Sequence, residues 1–170
     1  MNKKKNQKGF TLLEILVVVA LIGILAAIGM AALASARARG EDAYIKATAT
    51  NMKTQAEVFY SNNANTYGTI TGEGDSVPGL DSLCVQQGSI FAASSTGGLR
   101  FSLNALNAKS PSDILCSSGV EWTSDPVTAS SWAIAIKLSN GDYFCADSKG
   151  VSRDTGSSVP PISSTDADCS

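Results

Sequence analysis

The sequence contains no histidine, and this absence argues against several classes of function at once. Histidine is the commonest general base and metal ligand near neutral pH, and a Ser-His-Asp triad requires it. Four cysteines are present, but no C-x-x-C pair occurs, so a zinc site is disfavoured as well. No catalytic constellation is recognisable, and we expect neither an enzyme nor a bound metal or cofactor.

Positive charge is sparse outside the N-terminus. The formal net charge is −2, and four of the 13 basic residues lie in the first nine positions, at Lys3, Lys4, Lys5 and Lys8. A product lacking that segment would be more acidic than the whole chain. Because an acidic protein is repelled by phosphate backbones, we expect no strong nucleic-acid binding. Aspartates near the C-terminus, including Asp142, Asp147 and Asp154, are expected to form a solvated acidic rim.

Charge is missing altogether from Ile15 to Ala34, a stretch of 20 residues. A helix of that length spans roughly 30 Å, which matches the hydrocarbon core of a bilayer. The lysines before the stretch are denser than Arg37 and Arg39 after it. The positive-inside rule therefore predicts a cytoplasmic N-terminus and a C-terminal part that crosses the membrane.

Two ordinary interpretations of this N-terminus are a cleaved secretory signal and a plain membrane anchor. The basic N-terminal segment and the small-residue cleavage sites within 32–36 are typical of a secretory signal. The apolar run, however, is longer than the roughly 7–15 residues of the apolar region in a typical signal peptide. Neither interpretation explains Glu14, a carboxylate at the edge of the apolar run. Burying that carboxylate alone would be strongly unfavourable, so it requires a function.

The stretch KGFTLLE, from Lys8 to Glu14, resembles the class III signal of type IV pilins and pseudopilins. The resemblance implies that a prepilin peptidase removes the leader 1–9 by cutting after Gly9 and N-methylates Phe10. It further implies that Glu14 of an incoming subunit pairs with the Phe10 amine of a neighbour in a helical filament. Family members often carry a proline in the second half of the span, and this chain has none there.

On this resemblance, the chain is a structural subunit of a type IV pilus that serves adhesion, twitching motility or DNA uptake. The alternative is a pseudopilin of a type II secretion or competence system, and a tethered domain that never polymerises is a third possibility. The implied partners are other copies of the chain, prepilin peptidase, and the assembly platform with its ATPase. The precursor would lie in the inner membrane and the product in an extracellular pilus, or in the periplasm for a pseudopilin.

Helical periodicity continues beyond the apolar run. One apolar stripe recurs at spacings of four and three residues, at Ile45, Ala49, Met52, Ala56 and Phe59. The sequence Asn62–Asn65 followed by Gly68 predicts the end of the helix. We therefore expect a single helix of about fifty residues, far longer than the usual globular helix. Its transmembrane half is 10–36 and its amphipathic half is 37–67.

The remainder is predicted to form an irregular connection over 68–118 and an antiparallel sheet over 119–170. The connection offers at most a short strand at Leu99–Leu103. Alternating apolar residues over Trp132–Leu138 predict a half-buried strand, and Asn140-Gly141 predicts a type I′ hairpin turn. The segment Tyr143–Asp147 is then predicted to form the second, antiparallel strand of the hairpin. With a strand at Val120–Thr123, this sheet would cover the helical stripe. The predicted class is α+β, a long N-terminal helix packed on a small antiparallel sheet.

The four cysteines, Cys84, Cys116, Cys145 and Cys169, lie on the exported side of the predicted membrane span. Four cysteines allow three pairings, and the sequence alone does not choose among them. The resemblance to pilins implies a C-terminal disulfide loop closed by Cys145–Cys169. The remaining pair, Cys84–Cys116, would then cross-link the irregular connection. Each loop would contribute roughly 3–4 kcal/mol in the chain-entropy account of disulfide stabilisation.

Overall fold

The computed structural model describes residues 9–70, 82–109, 114–120, 127–162 and 167–169. The elements, in chain order, are helix α1 (Leu12–Asn62), strand β1 (Thr69–Ile70), a 3₁₀ helix (Ser82–Val85), helix α2 (Arg100–Asn107), and strands β2 (Ile114–Val120), β3 (Val127–Lys137), β4 (Tyr143–Asp147) and β5 (Ser152–Asp154). This order confirms the predicted α+β class. The chain divides into two compact units, Met1–Arg39 and Gly40–Ser170, which are described separately.

The first unit contains the apolar part of α1, and its large apolar side chains are exposed. Their exposed fractions range from 50% at Val17 to 85% at Phe10. An 18-residue window of α1 has a mean hydropathy of 2.9 with none of it buried, so the helix is long and apolar enough to cross a membrane. Exposed apolar surface is unfavourable in water by about 25 cal/mol per Å², so this part of α1 is suited to a lipid or protein environment.

The second unit contains the main hydrophobic core, which forms between the later part of α1 and the sheet. The predicted stripe from Ile45 to Phe59 is buried at every one of its five positions. It packs in one cluster with Trp132, Ile134 and Ile136 of β3. The ring of Phe91 meets Trp132 edge to face, with 6.2 Å between centroids. The apolar periodicity of the sequence therefore identified the helical face that builds this core.

Helix α1 ends at the predicted stop. Its last residue is Asn62, and Ala64 and Asn65 adopt positive φ angles of 54° and 58°. The backbone N–H of Asn65 donates to the carbonyl of Tyr60 at 3.1 Å, and the side chain of Asn63 donates to the carbonyl of Phe59 at 2.7 Å. These bonds satisfy carbonyls that the end of a helix leaves without intrahelical partners.

Strand β3 is the centre of the sheet. It pairs antiparallel with β2, with β4 and, through its first two residues, with β1, while β5 pairs with β4. Trp132, Ile134 and Ile136 face the main core, but Ala133 and Ala135 are buried too, in a second cluster with Cys145 and Cys169. The prediction of a half-buried strand was therefore wrong, because the returning C-terminal segment covers the other face.

The predicted strand at Leu99–Leu103 is a helix in the structure, α2 over Arg100–Asn107. Leu99, Leu103 and Leu106 are buried at spacings of four and three residues, which is helical periodicity. Regular structure also begins earlier than predicted, because β2 starts at Ile114 inside the expected irregular connection. Of the strand predicted at Val120–Thr123, only Val120 belongs to the described residues, and it is the last residue of β2.

The turn between β3 and β4 differs from the predicted type I′ turn. Of the two central residues, only Gly141 has a positive φ, at 92°. Leu138 N–H donates to the Asp142 carbonyl at 2.7 Å, and Gly141 N–H donates to the Leu138 carbonyl at 2.9 Å. This pattern is a three-residue loop, a type I turn followed by a glycine in the left-handed region. The carboxylate of Asp42 on α1 accepts from both the N–H and the hydroxyl of Ser139, which holds the loop.

Candidate functional site

The first turn of α1 is closed by hydrogen bonds between Thr11 and Glu14. The N–H and the hydroxyl of Thr11 donate to Glu14 Oε2 at 2.8 and 2.9 Å, and the N–H of Glu14 donates to Thr11 Oγ1 at 3.2 Å. This is a capping box, with Thr11 as N-cap and Glu14 as the third helical residue. The T-x-x-E pattern before an apolar run signals such a box, and the prediction of a pairing role for Glu14 overlooked it.

The predicted cleavage junction lies immediately before this box. Gly9, Phe10 and Thr11 precede the first helical residue, and both Gly9 and Phe10 are exposed. Among the described residues other than its chain neighbours, no atom lies within 4 Å of the position that a Cβ on Gly9 would occupy. The Gly9–Phe10 peptide bond is thus accessible without unwinding α1. The predicted leader residues 1–8 lie outside the described residues.

Glu14 is electrostatically isolated within its part of the helix. It is the one charged residue of 9–36, and Arg37 is the next charged residue along the chain. Its carboxylate accepts from the N–H and hydroxyl of Thr11, which are dipoles and carry no net charge. Cleavage after Gly9 would create an ammonium group on Phe10. The structure therefore gives Glu14 a local hydrogen-bonding role and leaves its negative charge without a cation in this stretch.

The glycines of α1 have no packing partner among the residues that the structure describes. An added Cβ at Gly23, Gly29 or Gly40 would meet nothing within 4 Å apart from the helix's own backbone. Small residues on a helix surface allow another helix to approach closely. Together with the exposed apolar side chains around them, Gly23 and Gly29 make the first part of α1 a candidate surface for contact with other helices.

In the second unit, two disulfides fix the segments around the sheet. Cys84–Cys116 joins the 3₁₀ helix to β2, and Cys145–Cys169 joins β4 to the C-terminal segment. Asp147, expected in a solvated rim, is instead fully buried. Its Oδ1 accepts from the N–H groups of Lys149 and Val151 at 3.0 and 2.9 Å, and its Oδ2 accepts from Cys169 N–H at 3.0 Å. Asp147 therefore anchors the C-terminal loop.

Removal of the Thr11 hydroxyl tests the capping box. We expect Thr11→Val to weaken the first turn of α1 by about 1 kcal/mol, so that its amide hydrogens exchange about fivefold faster. NMR-detected hydrogen exchange on the micelle-bound protein would measure this, with Thr11→Ser as the matched control that keeps the hydroxyl. Equal protection in the valine variant and the parent would show that the box does not stabilise the helix start.

One comparison with known families matches this end of the chain. Residues 4–30 match the family model of the prokaryotic N-terminal methylation motif. The matched residues include the Gly9–Phe10 junction, the Thr11–Glu14 capping box and most of the apolar run. No solved structure matches the chain. The match therefore concerns the first part of α1 and the residues before it.

Proposed function

We propose that this chain, which carries the class III signal peptide of type IV pilins and pseudopilins, is a structural subunit of a type IV pilus. The observation that supports this most is the continuity of the motif at 4–30 with a 51-residue helix whose apolar first part is uncovered. A cleaved secretory signal would not need a helix that runs on into a folded core. The motif belongs to filament subunits and their precursors and not to enzymes.

Maturation is the first step of the proposed function. Prepilin peptidase hydrolyses the Gly9–Phe10 peptide bond, which leaves a free carboxylate on the leader and an amine on Phe10. The amine then receives a methyl group from a sulfonium methyl donor and loses a proton, and the donor leaves as a thioether. Exposure of both residues ahead of the first helical turn supports this site of cleavage. The lysine-rich leader is removed in this step, so the mature chain is more acidic than its precursor.

Mass spectrometry of the N-terminal peptide tests the maturation step. We expect the mature protein to begin with N-methyl-Phe10, and we expect the same protein from a peptidase-deficient strain to retain its leader. A mature N-terminus near Ser35 or Arg37 would identify a secretory signal instead. Retention of the leader in the strain with active peptidase would identify a plain membrane anchor.

Assembly is the second step, and Glu14 is central to it. When apolar helices bundle, the Glu14 carboxylate loses water, and a buried unpaired charge is destabilising by several kcal/mol. The Phe10 ammonium of a neighbouring subunit can pair with it, which offsets much of this penalty and fixes the axial position of the incoming subunit. Thr11 holds the same carboxylate by two hydrogen bonds, at 2.8 and 2.9 Å, in the unassembled chain. The capping box thus keeps Glu14 ordered before its partner arrives.

The second unit is the part proposed to face the exterior. Beyond Gly40, α1 is tied to the sheet by polar contacts as well as by its buried stripe. Lys46 forms an ion pair with Asp154 at 2.7 Å, and Lys53 donates to the carbonyl of Gly150 at 2.7 Å. With two disulfides, which persist in oxidising compartments, this unit suits an extracellular or periplasmic location.

The alternative function is that of a pseudopilin in a secretion or competence system. Deletion of the gene followed by electron microscopy of the cells separates the two. Loss of all surface filaments identifies the main pilus subunit. Filaments that persist in altered number or length, with loss of a secreted protein, identify a pseudopilin or minor subunit.

A further inference from the structure

An open groove in the second unit is lined by neutral polar groups and one aromatic ring. It has a volume of about 350 Å³ and lies among α1, the loop before α2, and α2 itself. The side chains that line it are Gln55, Ser94, Ser95, Thr96, Phe101 and Ser102. None of these residues is charged. The volume falls at the lower end of the range typical of small-molecule sites.

The groove is formed by a loop that is fixed against α1. Gly97 has a φ of +87°, and a Cβ added there would lie 2.4 Å from the Phe59 nitrogen and 2.8 Å from the Gln55 carbonyl oxygen. Only glycine allows the loop to approach the helix so closely. The Gly98 N–H donates to the Ser95 carbonyl at 2.9 Å, which closes a turn in the loop. The groove is therefore preformed.

The two helices that border the groove are also tied to each other across it. Ser102 on α2 donates its hydroxyl hydrogen to Gln55 Oε1 on α1 at 2.8 Å. Leu103 and Leu106 are buried on the other side of α2, which fixes the orientation of that helix. Ser94, Ser95 and Thr96 are exposed at the groove. Their hydroxyls can each donate and accept a hydrogen bond.

Phe101 is conspicuously exposed for its position. Its side chain is 73% exposed, the largest fraction of any large apolar residue described in the second unit. Full burial of a phenylalanine is favourable by about 1.5–3 kcal/mol. Because its ring stays exposed, Phe101 does not gain most of this free energy within the chain. The ring is presented beside hydroxyl and amide groups. A ligand that offers both an apolar face and hydroxyl groups would satisfy both parts of the groove.

We propose that this groove binds a neutral saccharide. A sugar ring has hydroxyl groups around its edge and C–H groups on its faces, so it can hydrogen-bond to Gln55 and the loop hydroxyls while a face packs on Phe101. Anionic ligands are disfavoured, because no cationic side chain is among the described residues that line the groove. Every residue of the groove lies in the second unit, whereas the proposed assembly residues Phe10 and Glu14 lie in the first.

NMR titration of the mature, full-length protein tests this proposal. The protein would be held in micelles of a detergent without a sugar headgroup and titrated with galactose, mannose and N-acetylglucosamine. We expect at least one of the three to give saturable shifts of the Thr96, Gly97 and Ser102 amides. Phe101→Ala should weaken that binding about tenfold, the effect of losing roughly one stacking contact.

Matched variants make the test specific. Phe101→Tyr keeps the ring and should retain binding, and Val159→Ala, which trims another exposed apolar residue at 68% exposure, should leave it unchanged. The proposal is overturned if none of the three sugars shifts these amides, or if glucose 6-phosphate binds more tightly than the neutral sugars. It is also overturned if Phe101→Ala reduces filament yield while sugar binding is absent, which would assign the ring to a contact between subunits.

Discussion

Glu14→Gln is expected to reduce filament yield roughly 100-fold or more, while processing at Gly9 continues. Glutamine can also occupy the third position of a capping box, so the hydrogen bonds to Thr11 can be retained. The negative charge is lost, and in the proposed filament the Phe10 ammonium of the neighbouring subunit would be left buried without a partner. Breaking one side of a buried ion pair typically destabilises by about 3–5 kcal/mol, which corresponds to this change in yield. Sheared filaments quantified against total cellular protein would measure it.

Thr11→Val is the control for this experiment. It removes the hydroxyl of the capping box but keeps the carboxylate, so we expect filaments within a few-fold of the parent. The two variants separate the structural role of Glu14 from its charge. If Glu14→Gln assembles normally, the charge pair is not needed. If both variants fail to the same extent, the capping hydroxyl is required for assembly as well as the charge.

Asp147→Ala is expected to lower the free energy of unfolding of the second unit by about 3 kcal/mol or more. The substitution leaves three backbone N–H groups, those of Lys149, Val151 and Cys169, without their acceptor. A buried donor without a partner costs about 1–3 kcal/mol. Urea denaturation of the oxidised protein, followed by tryptophan fluorescence, would measure the loss, since Trp132 is fully buried in the core.

Two further variants sharpen this measurement. Asp142→Ala removes a half-exposed aspartate whose carboxylate accepts from Asn140, and should change stability by less than about 0.5 kcal/mol. Asp147→Ala should also destabilise less in a protein that already lacks Cys145–Cys169, because both features hold the same loop. Fully additive effects, or a stable Asp147→Ala protein, would contradict the anchoring role.

The features that could be predicted from the sequence are those encoded locally. The apolar stripe of α1 and its end at Asn62 follow from residue spacing and from a run of asparagines near Gly68. The segment Leu99–Leu103 was assigned to the wrong element, because its apolar residues alternate with polar ones as they do in a strand, whereas the leucines that are buried recur at the helical spacing of four and three. The capping box of Thr11 and Glu14 was also local and could have been read from the T-x-x-E pattern.

Other features depend on contacts between distant parts of the chain, and no local pattern signals them. The three-residue turn at Ser139 is held by Asp42, 97 residues earlier. Asp147 is buried because the C-terminal segment packs against it, and the N–H of Cys169, 22 residues later, donates to its carboxylate. The same C-terminal segment covers Ala133 and Ala135. The groove beside Phe101 likewise requires Gly97 to approach α1 closely. Such contacts follow from the tertiary fold and not from neighbouring residues.

A cryo-EM structure of the assembled filament tests the central claim most directly. In it, the Phe10 nitrogen of one subunit should lie within about 4 Å of a Glu14 carboxylate oxygen of its neighbour, the distance of an ion pair. The Thr11 hydroxyl should remain beside the same carboxylate. A filament in which Glu14 bonds only to Thr11 of its own chain, with every Phe10 amine distant from it, would contradict the account.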